Sequence, residues 1–247
     1  MEKKPKVQAV HLTKKFGDLL VLNDMTFDIM EGELLCVVGP TGCGKTTFLN
    51  SLTKLYDITD GEILVNGAPV DLKKNNIAYI FQETSTMDWL TVEQNVSFGL
   101  DIKHVPADVK KKRVDEVLDI VGLTEFRHYY PNQLSASMLQ RVVIARAFAV
   151  EPELLLMDEP YGQLDIELRF KLEDELVKLW QRTGTTVLFI THNVEEAVYL
   201  SERVMILTNK PTKVKTVLDN PLPRPRDIAS PEFIDLRNRV THLIKWW

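Results

Sequence analysis

Gly39-Pro40-Thr41-Gly42-Cys43-Gly44-Lys45-Thr46 decides the reading of this chain. It follows the apolar run Leu34-Leu35-Cys36-Val37-Val38 and opens a helical pattern carrying Phe48, Leu49 and Leu52, so it reads as strand, phosphate loop and helix. Glycines let the backbone fold back until successive N–H groups face phosphate oxygens, and the helix N-terminus adds its own positive partial charge. Lys45 then reaches the outer phosphates, Thr46 offers a hydroxyl to Mg2+, and Thr47 completes the candidate cradle.

Outward from the loop, short apolar strands alternate with longer helical patterns, which predicts an α/β fold with a parallel or mixed sheet covered by helices. Three further strands end in polar chemistry. Ile77-Ala78-Tyr79-Ile80-Phe81 ends at Gln82, Leu154-Leu155-Leu156-Met157 ends at Asp158-Glu159, and Val187-Leu188-Phe189-Ile190 ends at Thr191-His192. Open α/β sheets bind ligands beyond the carboxyl ends of their strands, so these residues are expected to converge on the nucleotide.

Adjacent carboxylates on a strand face opposite sides, which allows Asp158 and Glu159 different tasks. Asp158 is placed to hold Mg2+ through water, and Glu159 to polarise a water for in-line attack on the γ-phosphate. A neutral His192 can bridge γ-phosphate, water and Glu159. Gln82 can touch Mg2+ or the attacking water, or simply bond to backbone at its strand end. Phe16 either stacks on the adenine or fills the core of the first hairpin.

Residues 7 to 30 suggest a strand pair turning near Phe16-Gly17-Asp18, and Glu62 to Gly67 another hairpin arm, together a β subdomain. From about 88 to 150 the pattern is helical, with Val114, Val117, Leu118 and Val121 on one stripe and Leu139, Val142, Val143 and Ala147 on another helix. Prolines 211, 221, 223 and 225 exclude a continuous helix or central strand over 211 to 230, which reads as an extended linker. Ser230-Pro231-Glu232 then starts a helix whose stripe of Phe233, Leu236, Val240, Leu243 and Ile244 is expected to pack on its own domain.

Composition narrows the function classes. The 247 residues carry a formal charge of −5, which argues against a nucleic-acid partner, and the basic run Lys110-Lys111-Lys112-Arg113 reads as a solvated helix face. Apolar runs are too short to span a bilayer, and Met1 to Lys6 lacks the apolar core of a secretory signal, so a cytosolic protein is expected. Cys36 and Cys43 fit a reducing compartment without a disulfide.

The ordered set of phosphate loop, Gln82, Leu134-Ser135-Ala136-Ser137-Met138, Leu154 to Glu159, Leu164-Asp165 and Thr191-His192 resembles the ATP-binding cassette (ABC) subunits of transporters over nearly the whole chain. Asp88 to Val96, Lys178 to Gly184 and Pro-Arg-Pro-Arg-Asp at 223 to 227 are similar to the nitrate, sulfonate and taurine importer group. The resemblance implies a P-loop NTPase core with a mixed sheet, an N-terminal antiparallel β subdomain and an inserted helical subdomain. The expected ABC ATPase domain spans 1–220, divided into a core with the β subdomain (1–87 and 151–220) and a helical subdomain with the signature (88–150); 221–247 form the proline-rich linker and C-terminal helix.

It further implies ATP and Mg2+ as ligands. Two cassettes would sandwich two ATP molecules, Ser135, Ala136, Ser137 and Met138 would reach the partner's ATP, and Asp165 would couple the two sites. The implied partners are a second ABC ATPase subunit, identical or a paralogue, integral membrane permease subunits and, indirectly, a solute-binding protein, with the chain peripheral on the cytoplasmic face of the membrane. A soluble ABC ATPase acting on ribosome, DNA or protein complexes is the alternative, and a P-loop kinase leaves 134 to 138 and Asp165 unexplained. The family's signature is usually Leu-Ser-Gly-Gly, so Ala136 and Ser137 stand where two glycines allow close backbone approach. A weakened signature is expected, along with a smaller effect from Asn193 where the family commonly has aspartate.

Overall fold

The computed structural model describes residues 4–162, 164 and 166–244. Among them the strands are β1 (Pro5–Phe16), β2 (Leu19–Met30), β3 (Leu34–Val38), β4 (Asp60–Val65), β5 (Ala68–Pro69), β6 (Ile77–Ile80), β7 (Leu154–Asp158), β8 (Thr186–Thr191), β9 (Arg203–Leu207) and β10 (Val214–Asp219). The α-helices are α1 (Lys45–Leu52), α2 (Val92–Ile102), α3 (Ala107–Ile120), α4 (Ala136–Ala149), α5 (Ile166–Thr183), α6 (Val194–Leu200) and α7 (Pro231–Leu243). They form two compact units, one of Met1–Ile77 with Thr186–Trp247 and one of Ala78–Thr185.

In the first unit an antiparallel sheet has the order β2-β1-β4-β5. β1 and β2 turn through Gly17-Asp18, where Phe16 pairs with Leu19. β4 and β5 are joined by Asn66 and Gly67 at φ +54° and +76°, the two left-handed positions that a tight hairpin with right-handed strand twist requires. A second stack of strands runs β10-β9-β3-β8, with β3 parallel to both neighbours. Every residue of β3 and β8 is buried, which is why Leu34 to Val38 and Val187 to Ile190 read as unbroken apolar runs and not as alternating ones. Each such Leu or Val contributes on the order of 1.5–3 kcal/mol by leaving water.

The stack is pinned at its base by charge. Arg203 on β9 donates from Nε to Glu33 Oε1 at 2.6 Å and from Nη2 to Glu33 Oε2 at 2.8 Å, a fork across the carboxylate that precedes β3. That bond holds the Arg203 guanidinium above its ordinary value.

Residues 214–219 correct the expectation of an extended linker. This proline-free stretch between Pro211 and Pro221 pairs antiparallel with β9 as the terminal strand of the stack, a place that tolerates flanking prolines. α7 starts as expected. Ser230 accepts from Phe233 N at 3.3 Å, Pro231 occupies the first turn, and Phe233, Leu236 and Val240 are buried against α6 and β9.

The second unit contains β6 and β7 side by side with α2 to α5. A capping box opens α2, Thr91 accepting from Gln94 N at 3.3 Å while Gln94 Oε1 accepts from Thr91 N at 2.9 Å. Val96, Leu100, Val114, Leu118, Val142 and Val143 form its helical core. The basic run on α3 is laced into ion pairs, Lys110 with Asp101 at 2.5 Å, Lys111 with Asp115 at 2.7 Å and Arg113 with Glu151 at 2.6 Å.

Candidate active site

The phosphate loop leaves β3 at Gly39 and enters α1 at Lys45. Gly44 has φ +114°, and a Cβ added there would lie 2.9 Å from Val21 Cγ1, so both backbone and space call for glycine. A Cβ at Gly39 would meet Leu207 Cβ at 3.0 Å, because the loop passes against the end of β9. Lys45 is only 6% exposed, and its ammonium donates to the carbonyls of Gly39 at 3.1 Å and Pro40 at 3.4 Å. The first turn of α1 holds no acidic residue. Loop donors, lysine charge and helix N-terminus therefore add with one sign, which fits a polyphosphate.

Cys43 is buried within this loop, and burial pushes its thiol up in spite of the nearby Lys45 charge. Neither cysteine is in a disulfide, as expected. Thr41, Gly42 and Thr46 face solvent, whereas Pro40 is buried and Thr47 is half-buried. One important contact was not legible beforehand. Thr212, fully buried between β9 and β10, donates its hydroxyl to the Cys43 carbonyl, and its own backbone bonds Val21 O and Asn23 N at 2.8 and 2.9 Å. A lone threonine in a proline-rich stretch carries no signal for such a role.

Parallel pairing of β3 with β8 sets Val38 opposite Thr191, so His192 leaves the sheet beside the start of the phosphate loop. His192 is exposed. Asn193 caps α6 by accepting from Glu195 N at 2.9 Å and Glu196 N at 3.3 Å, which an aspartate would also do. Phe16 is 42% exposed at the end of β1, edge-on to Tyr56 at 5.3 Å with Lys14 Nζ 4.6 Å from its ring centre. It is not a core residue of the hairpin. Tyr56 is a second exposed aromatic that the sequence pattern did not single out.

In the second unit Asp158 is the last residue of β7 and is 5% exposed, with Tyr79 Oη on β6 donating to its Oδ2 at 3.4 Å. Glu159 differs from the strand-alternation expectation: its φ is +47°, so the chain turns sharply out of the strand before the second carboxylate. The two carboxylates are separated by a left-handed backbone step, a conformation that costs a non-glycine residue on the order of 1 kcal/mol or more.

β6 stops at Ile80, leaving Phe81 and Gln82 exposed outside the strand. The loop after Gln82 is tied to α4, with Thr84 Oγ1 donating to Gln140 Oε1 at 3.4 Å and Arg146 Nη2 to Ser85 Oγ at 2.9 Å. Farther along, the buried Asn95 accepts from Met87 N at 2.8 Å and donates to the carbonyls of Met87, Leu90 and Thr91 at 3.0–3.1 Å. Its polar character at a buried helical position is the one sequence signal that points to it.

Ser135 is the N-cap of α4, accepting from Met138 N at 3.4 Å, and its hydroxyl lies 3.2 Å from Ser137 Oγ. Ala136 and Ser137 open the helix with ordinary negative φ, so neither site demands glycine for its backbone. Only the space their side chains occupy bears on a ligand. Asp165 lies outside the described residues.

Comparison with known proteins gives this geometry its family. The model of the ABC transporter family matches residues 22–162. The chain belongs to that family. A putative ATP-binding protein of Brucella abortus is 43% identical over 98% of this chain and 94% of its own length. An aliphatic sulfonates import ATP-binding protein of Bacillus cereus is 38% identical over 93% of this chain and 90% of its own. Among solved structures, the dimeric bacterial ABC transporter cassette MJ0796 superposes with a TM-score of 0.75 at 30% identity, covering 88% of this chain and 100% of that one. That cassette has also been solved in a post-hydrolysis state bound to ADP and Pi.

This ABC chain is therefore an ATPase with a P-loop NTPase α/β fold, and ATP and Mg2+ are its ligands. The hydroxyl of Thr46, the carboxylate of Asp158 and the carboxamide of Gln82 are hard oxygen donors of the kind Mg2+ takes. No helix among the described residues of the ABC chain is long and apolar enough to cross a membrane.

Proposed function

We propose that this chain is the ATP-hydrolysing subunit of an ABC importer for a small solute of the nitrate, sulfonate or taurine type, peripheral on the cytoplasmic face of the membrane. The carrying observation is the near full-length similarity to an aliphatic sulfonates import ATP-binding protein. Two copies, or this chain and a paralogue, would pair as the dimeric cassette MJ0796 does.

Within this reading each residue has a separate task. Backbone N–H groups of Gly39 to Thr46 and the Lys45 ammonium bind the phosphates, and Phe16 offers a face to the base. Mg2+ would be held by Thr46, Gln82 and Asp158, where it would neutralise charge on the phosphate oxygens. Glu159 accepts the proton of the attacking water, and His192 orients that water against the γ-phosphate. Ser135, with Ala136, Ser137 and Met138 around it, addresses the ATP of the partner cassette, and Asp165 couples the two sites.

The exposed apolar surface of the second unit supports permease docking. Trp89 is 76% exposed, and Phe81, Phe98, Ile102, Tyr129 and Tyr130 also face solvent on or near α2 and the loop after Gln82. Large apolar side chains left exposed in this number favour a partner surface. Reconstitution tests the whole reading: the chain with permease subunits and a solute-binding protein in liposomes should show ATPase activity stimulated by solute. Activity indifferent to membrane subunits, with binding to ribosomes or DNA instead, would overturn it.

A further inference from the structure

The seven residues of α6 are far fewer than the roughly 12–15 an isolated helix needs, so its ends must be held from outside. The N-terminal end follows His192 with a single residue between, Asn193, whose N–H donates to Thr191 Oγ1 at 2.9 Å. Any rotation of α6 is thus passed to His192 with almost no slack.

The C-terminal end is held by the Pro-Arg-Pro-Arg segment. Arg226 Nη1 donates to the carbonyls of Val198 at 2.8 Å and Tyr199 at 2.7 Å. Arg224 Nη1 donates to Tyr199 O at 3.2 Å, and its Nη2 to Leu200 O. Asn220 Nδ2 adds a bond to Val198 O at 2.7 Å. Two positive charges on the last carbonyls of a helix also complement its dipole. At the other end Arg237 of α7 meets Glu195 Oε2 at 3.4 Å.

These arginines are not an anion site. Besides its bonds to α6, Arg226 donates to Leu222 O at 3.3 Å and Asn220 O at 3.5 Å, so its fork is spent on backbone carbonyls. Burial, with the neighbouring Arg224 charge, brings its guanidinium down to about 10, still charged at neutral pH. Burying Arg226, with Arg224 half-buried beside it, is costly unless every bond is made, and a surface turn would not need them.

We propose that Arg224 and Arg226 are positioning residues for hydrolysis, clamping the end of α6 so that His192 is held at the mouth of the phosphate loop. The inference rests on the reading that His192 acts in hydrolysis. It makes the proline-rich segment part of the ATPase machinery and not a spacer.

The experiment separates the two ideas in the full-length chain. His192→Ala tests the reading, with a kcat fall of roughly a hundred-fold expected; an unchanged kcat removes it. Arg226→Lys tests the clamp, because lysine keeps the charge but has one donor nitrogen, which cannot hold Val198 O and Tyr199 O together with the Leu222 and Asn220 carbonyls that Nε and Nη2 reach. It should lower kcat roughly ten-fold with KM for ATP changed by less than about two-fold. The His192 ring resonance, assigned by its loss in His192→Ala, should shift in the nucleotide-free protein. In the His192→Ala background, Arg226→Lys should alter kcat by less than about two-fold.

Effects that multiply in the double variant, or a stationary His192 resonance with only Tm lowered, would overturn the proposal. If Arg226→Lys does not fold, Arg224→Lys is read by the same measurements with the same expected and overturning results.

Discussion

Thr212 donates its hydroxyl to the carbonyl of Cys43, stapling the turn between β9 and β10 to the middle of the phosphate loop. The residue is fully buried, so its loss leaves a carbonyl without its partner in a dry place. Thr212→Val should therefore weaken ATP binding by roughly five-fold, about 1 kcal/mol, while Thr212→Ser keeps most of it. Titration with a fluorescent ATP analogue checks this, and equal affinity in all three proteins would deny the staple a role.

Glu159 occupies its left-handed backbone step with a carboxylate that the proposed mechanism uses as base. Glu159→Gln preserves shape at that position while replacing one acceptor oxygen with a donor NH2 and removing the charge. ATP should remain bound while turnover falls by at least about a hundred-fold. Retained hydrolysis would move the base elsewhere.

Ala136 and Ser137 sit in the first turn of α4 with helical backbone, so replacing them with glycine gives up helix propensity, up to about 1 kcal/mol each, without relieving any φ. What it gains is room at the helix N-terminus. The double change Ala136→Gly with Ser137→Gly should raise the ATPase rate of the reconstituted complex several-fold and slightly lower Tm. A rate that does not change would sink the idea that these side chains impair the signature.

The Asn95 side chain accepts one bond from, and donates three to, the backbone of the segment Met87 to Thr91, which presents Trp89. Asn95→Leu takes the side-chain partner from Met87 N and Leu90 O inside the second unit, while Met87 O and Thr91 O keep their bonds from Leu90 N and Asn95 N, and should cost about 3 kcal/mol in urea unfolding. Hydrogen exchange at Met87 should rise with it. A variant as stable as the parent would show the segment to be held by other means.

Glu175 on α5 meets Arg141 of α4 at 3.3 Å, yet burial outweighs that charge and holds its carboxyl above the ordinary value of 4.5. The folded chain then keeps a proton that the unfolded chain has released, so this group's contribution to stability declines as pH rises from the ordinary value through the raised one. Glu175→Gln removes the titration. The variant's Tm relative to the parent should climb as pH rises above the ordinary carboxylate value. A flat or falling difference would contradict the assigned direction.

Much of this was legible in the chain itself, because the relevant signals are local. A strand buried on both faces has to be apolar throughout, a tight phosphate turn has to contain glycine, and a helix start favours Ser-Pro; Leu34 to Val38, Gly44 and Ser230-Pro231 each obey one such rule. Residues 214–219 were misread because proline at both sides of a strand resembles a linker until a pairing partner is known.

Sequence alone determined that this chain carries a phosphate loop and the ordered acid, amide and imidazole of an ATPase. Tertiary structure alone decided what holds them: Thr212 on Cys43, Tyr79 on Asp158, Asn95 on the turn before α2, and Arg224 with Arg226 on the end of α6. Each of those is a hydrogen bond between residues far apart in the chain or aimed at backbone, and a backbone carbonyl looks the same in every residue. No residue type announces such a partner in advance; only folding brings donor and acceptor together and excludes the water that would otherwise compete.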